Sequence, residues 1–168
     1  MSYVVPGMTL IPQRLNTSCW YASAQMLIQW KCDRFKMSMA NLVPPEFDKE
    51  CMKIHDGGAG LNNPQIVPMA KRLGLKPVPP MSPSPQAIES WLQLYGPLWV
   101  NGKTHIVVIA GIEGADSVKV YDPWPKSIGK IDWRSLTTWY VGGKHWDTDV
   151  DSSRDASNAV DAVFLHCP

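Results

Sequence analysis

The apolar period of this 168-residue chain changes at Gly96-Pro97, and that change limits what it can fold into. Before it, apolar residues recur at helical spacing. Trp20, Ala24, Leu27 and Trp30 follow i, i+3/i+4 intervals from Cys19 to about Lys31, with no Gly or Pro between. Thr17 or Ser18 can serve as the N-cap. Asn63-Pro64 and Gly74 bracket a second helix, and Ser84-Pro85 and Gly96 a third, Gln86 to Tyr95. After the change, Leu98-Trp99-Val100, His105 to Ala110 and Val118 to Tyr121 read as strands. Asn101-Gly102 and Glu113-Gly114 supply turns between them. Ile131 to Trp139 predicts a short strand running into a helical turn, and Ala159 to Leu165 a last strand. Residues 1–15 read as an extended lead-in, 33–62 and 142–158 as mixed or loop-like, and the proline cluster at 77–85 as a stiff connector. Helices first and an antiparallel sheet second predicts an α+β fold. The length predicts one domain, 1–168, with a helical half of about 1–95 and a sheet half of about 96–168.

A chain of this length can bury roughly 70% of its unfolded surface, so a core needs no staples. The net charge of +1 is spread over scattered lysines and arginines, which argues against nucleic acid as a main partner. No apolar run is long enough to span a membrane. The first ten residues hold no basic residue and no long apolar core, so a Sec signal peptide is not expected there. Cys19, Cys32, Cys51 and Cys167 are irregularly spaced and include no Cys-x-x-Cys pair. Reduced thiols are therefore expected, and a structural zinc site or other metal is not. The last three read as buried small hydrophobes.

Four residues stand at the ends of these elements in an order that suits thiol chemistry. Cys19 opens the first helix, where the backbone dipole and a nearby imidazolium can stabilise a thiolate. His105 opens a strand and suits the base; Asp122 ends the next strand and suits the group that orients the imidazole. A turn near 113–116 would bring 105 and 122 level. Gln13, six residues before Cys19, can donate its amide to an oxyanion beside the Cys19 N–H. Each has a plainer reading: a buried thiol, a core histidine, a turn aspartate before proline, a solvated loop glutamine. Trp124 can cover the His–Asp bond or simply pack. His55, His145 and His166 are weaker bases, since none precedes a paired strand ending in an acid. This set of parts predicts nucleophilic catalysis by cysteine with no metal or organic cofactor.

Gln13 followed by Ser18-Cys19-Trp20-Tyr21-Ala22-Ser23, with His105, Asp122 and Trp124 downstream, resembles the papain-like cysteine proteases. Larger members usually carry Asn where Asp122 stands. Two compact bacterial groups are similar: avirulence-type proteases injected into host cells and, more distantly, bacteriocin-leader peptidases. The latter usually have Asp-Cys-Gly around the nucleophile, where this chain has Ser18-Cys19-Trp20. The resemblance implies a papain-like fold, a triad of Cys19, His105 and Asp122, and an acyl-enzyme route on a protein substrate. It also implies substrate contacts from Trp20, Trp124 and a Gly57-Gly58 loop that pairs with the substrate backbone. Control would come from a cognate inhibitor or immunity protein. Delivery would follow a signal-peptide-independent route to a target cytosol; the alternative is a cytoplasmic enzyme. Competing functions are a peptidoglycan amidase, an isopeptidase or acyltransferase, a leader peptidase, and a binding module without catalysis.

Overall fold

The computed structural model describes residues 2–35, 41–79, 84–101, 105–136 and 163–168. Helix α1 spans Cys19–Phe35, longer than its apolar pattern alone implies. It is followed by a short 3-10 turn, Pro45–Phe47. Helix α2 (Lys49–Asp56) lies inside the stretch 33–62 read as mixed, between its two loop marks. It forms because Asp48 caps it, its carboxylate accepting the Cys51 N–H at 3.0 Å. Helix α3 (Asn63–Leu73) runs through Pro68 and stops at Gly74, whose φ of 84° suits a residue without a Cβ. Its N-cap is Asn62, one residue earlier than expected, and the Gln65 side chain reaches back to accept the Asn62 N–H at 2.8 Å. Helix α4 (Pro85–Tyr95) is capped by the Ser84 hydroxyl, which accepts the Ala87 N–H.

Strands β1 (Ser2–Val4), β2 (Lys76–Pro77), β3 (Leu98–Asn101), β4 (Ile106–Glu113), β5 (Ser117–Asp122), β6 (Lys130–Ser135) and β7 (Phe164–His166) make one sheet among the described residues. Its order is β2-β7-β3-β4-β5-β6, with β1 on β4 beyond the end of β3, and every pairing is antiparallel. The extended lead-in therefore begins as a strand, and the proline connector contributes a two-residue one. The Asn101-Gly102 turn, residues 142–158 and the start of the expected last strand lie wholly or partly outside the described residues; Phe164–His166 is its observed part. Helices in the N-terminal half and an antiparallel sheet in the C-terminal half give the expected α+β arrangement.

The helical half meets the sheet through α1. Trp20, Leu27, Trp99 and Val108, the last two a cross-strand pair on one face of the sheet, are completely buried. Two bonds pin the helix in register with the strands. The Trp99 indole N–H donates to the Trp20 carbonyl at 3.1 Å, and the Ser23 hydroxyl to the Ile106 carbonyl at 3.4 Å. Each bond involves a residue next to Cys19 or His105, so the core contact also sets the distance between those two.

Candidate active site

Three short segments converge at one end of the sheet. Cys19 is the first residue of α1 and is 8% exposed. Behind it the Ser18 carbonyl accepts the Ala22 N–H at 3.1 Å, and the Ser18 hydroxyl bonds both the N–H and the carbonyl of Leu15. The turn before the helix is thereby fixed. Gln13 belongs to the same turn and is buried. Its N–H donates to Pro123 O at 3.0 Å and its carbonyl accepts from Ser127 N–H at 2.8 Å. The approach to the cysteine is thus stitched to the segment that follows Asp122.

His105 immediately precedes β4, and Asp122 ends β5. The ladder sets Val108 opposite Tyr121, so 105 and 122 are not level as expected but two residues out of step. The offset is set at the turn, where Glu113 pairs with Ser117; the irregularity between Ile109 and Gly111, an extra residue in β4, reduces it by one. The imidazole spans the offset. His105 Nε2 lies 2.5 Å from Asp122 Oδ1, while Cys19 is a side-chain hydrogen-bond partner of the same ring. Sulfur, imidazole and carboxylate, remote from one another in sequence, therefore form one continuous chain.

The electrostatics of this chain favour charge separation. Burial alone would keep the His105 ring neutral. The hydrogen bonds and charges of Asp122 and Cys19 outweigh it and lift the ring to about 9. Burial would raise the Asp122 carboxyl, but His105, the Arg134 guanidinium and the Trp124 N–H together hold it below its ordinary value. Cys51 and Cys167 are pushed up to about 12, chiefly by burial, and burial also raises Cys32. No cysteine is in a disulfide.

The Gln13 side-chain amide donates to Leu15 O at 2.7 Å and Asn16 O at 3.2 Å, leaving its Oε1 buried and without a partner. Trp20 is wholly buried and packs the core beneath the site rather than facing outward. Trp124 is 45% exposed, and its backbone N–H donates to Asp122 Oδ1 at 2.9 Å. Gly57 and Gly58 form the exposed turn that ends α2, Gly58 with φ of 71°. Neither glycine lines the nearby cavity of about 340 Å³, whose walls include Gln13, Ser18, Tyr21, Gln25, Glu46 and His55. His55 stacks 4.2 Å from the Tyr21 ring in its wall. His166 stacks on Tyr95 beside a different cavity, and burial lowers its pKa from the ordinary imidazole value. His145 lies outside the described residues. Among the described residues no cluster of His, Cys, Asp or Glu could hold a metal ion, and no helix is long and apolar enough to cross a membrane.

One residue of the site escapes a reading of the sequence. Arg134 on β6 donates through Nη2 to Asp122 Oδ2 at 2.8 Å and through Nε to Asp132 Oδ1 at 2.8 Å. The available signal is the Asp132-x-Arg134 alternation on a strand predicted after the one ending in Asp122.

Searches among curated proteins and among solved structures matched nothing. The family model described as papain-like cysteine protease AvrRpt2 matches residues 4–140, which include Gln13, Cys19, His105, Asp122 and Arg134. The chain belongs to this family and is a papain-like cysteine protease.

Proposed function

We propose that this protease hydrolyses peptide bonds through a Cys19–His105–Asp122 triad and an acyl-enzyme. The observation that carries the reading is the bonded series from Cys19 through His105 to Asp122. The Cys19 sulfur attacks the scissile carbonyl carbon, and the electron pair of the C=O bond moves to oxygen. His105 gives its proton to the departing amine as the C–N bond breaks. The neutral ring then takes a proton from water, whose oxygen attacks the thioester; the C–S bond breaks, releasing the acid and the Cys19 thiolate beside the recharged imidazolium. Asp122 accepts the Nε2–H and keeps the other ring nitrogen toward sulfur.

The oxyanion is held by the Cys19 N–H and the Gln13 side-chain amide. Gln13 turns its amide from one of its two backbone acceptors to do so, which is a small rotation for a residue already buried in the turn before Cys19. The substrate runs over the mouth between Trp124 and the Gly57-Gly58 turn, with the cavity walled by Tyr21 and His55 taking a side chain.

The substrate is a protein. Likeness to the injected avirulence-type proteases supports action inside a target cell, after delivery from a bacterial producer that is protected by an inhibitor protein. The test compares target cells given wild type or Cys19→Ala, with new N-termini read by mass spectrometry. Wild type produces termini that recur at a common sequence motif, and Cys19→Ala produces none. Identical terminus sets from the two proteins contradict the proposal.

A further inference from the structure

Asp122 is 6% exposed, yet both of its oxygens are engaged. Oδ1 takes His105 Nε2 and the Trp124 N–H; Oδ2 takes Arg134. A buried Asp–Arg pair contributes little net stability, because desolvation consumes most of the attraction. Arg134 needs a different reason to be there. An amide at position 122, as in the larger papain-like enzymes, would offer His105 an acceptor without carrying charge. A carboxylate needs a counter-ion on the oxygen that His105 does not use, or it can rotate or accept a proton there.

We propose that Arg134 is a positioning residue that clamps Asp122, fixing the carboxylate plane so that Oδ1 is presented to His105 in the ionised form. The proposal rests on the triad reading above. The fork is itself held: Nε bonds Asp132, whose other oxygen lies 3.2 Å from the Lys130 amine. The charged groups facing Asp122 among the described residues are thus His105 ahead of β4, with Cys19 of α1 beyond it, and Arg134, Asp132 and Lys130 on β6. Arg134 acts on the sulfur only through two intermediaries, and its removal leaves every reacting atom in place.

The experiment is the rate of Cys19 alkylation by iodoacetamide from pH 4.5 to 9 on the full chain. It compares wild type, Arg134→Gln, Arg134→Lys, Asp122→Asn and the double variant Asp122→Asn/Arg134→Gln, each checked for fold by circular dichroism. Without Arg134 the buried carboxylate protonates more readily, so the acid limb of the profile moves to higher pH. The Cys19 rate near pH 5 falls about tenfold, with a smaller loss at pH 8. Arg134→Lys keeps the charge but not the fork and falls between. In the Asp122→Asn background the Arg134→Gln change costs nothing further, since no carboxylate remains to clamp. A uniform loss across pH, an unmoved acid limb, or a cost of Arg134→Gln that is the same with and without Asp122→Asn overturns the clamp while the triad stands. A wild-type Cys19 no faster than the other cysteines overturns the triad and the clamp together. If Arg134→Gln does not fold, Arg134→Lys decides, its acid limb displaced or not.

Discussion

His105 is pulled in two directions, and the outcome sets the pH range of the chemistry. Burial disfavours the charged ring; Asp122 and Cys19 favour it and win, holding the proton up to about 9. Because this lies above the ordinary imidazole value of 6.5, the folded chain binds the proton more tightly than the unfolded chain. The stabilisation is complete below about pH 6.5 and is lost as pH rises through about 9. The difference in melting temperature between wild type and His105→Ala is therefore expected to shrink between pH 7 and 10. A difference that is flat across that range contradicts the coupled pair. Peptidase turnover falls over the same basic limb, as the leaving amine loses its proton donor. Cys19→Ala and His105→Ala each lower kcat by about 10⁴-fold or more without loss of fold. Asp122→Asn is milder than His105→Ala, since an amide oxygen still accepts from Nε2. With the proposed oxyanion donor removed, Gln13→Ala is expected to lower kcat by roughly 10²-fold.

At the scale of elements, Gly96 couples the two halves of the fold. It closes α4 with φ of 84°, and a Cβ placed there would stand 2.2 Å from the Trp30 indole. Trp30 cannot retreat easily, because its indole N–H donates to the Pro6 carbonyl at 2.8 Å. Gly96→Ala is expected to cost about 2 kcal/mol or more in urea unfolding, from strain at positive φ plus overpacking. An unchanged midpoint contradicts this. The elements most legible in the sequence are those with sharp punctuation. The last two helices are bracketed by Asn-Pro and Gly74, and by Ser-Pro and Gly96, and their observed bounds lie within a residue or two of those marks. Helix α2 is hidden because it has only eight residues, too few for periodicity to register. Strand β1 is hidden because three residues show no alternation; only the free edge of β4 beyond β3 makes them a strand. Arg134 is hidden for a related reason. The β5–β6 register sets Asp122 opposite Lys130 and Arg134 opposite Val118, so Arg134 reaches its partner along a diagonal, and neither register nor diagonal is a local property of sequence.

Across the whole molecule, the site is where helix and sheet meet, and the same contacts serve core and chemistry. Gln13, Cys19, His105 and Asp122 are legible in the sequence because each sits where an element begins, ends or is led into. Their assembly depends on long-range ties that are not: Trp99 to Trp20, Ser23 to Ile106, and Gln13 to Pro123 and Ser127. Trp99→Phe keeps a buried ring but removes the indole N–H from the Trp20 carbonyl and leaves space where the larger ring packed. It is expected to cost about 1–3 kcal/mol and to slow alkylation of the adjacent Cys19, read by thermal unfolding and thiol labelling. A loss of stability with unaltered labelling contradicts the view that this tie also sets the cleft. The most direct measurement of the account is competitive alkylation with limiting iodoacetamide at pH 6, resolved by peptide mass spectrometry, in wild type and His105→Ala. Cys19 is modified well before Cys32, Cys51 and Cys167 in wild type, and that lead disappears without His105. Equal modification of all four thiols, or a lead that survives the loss of His105, would contradict it.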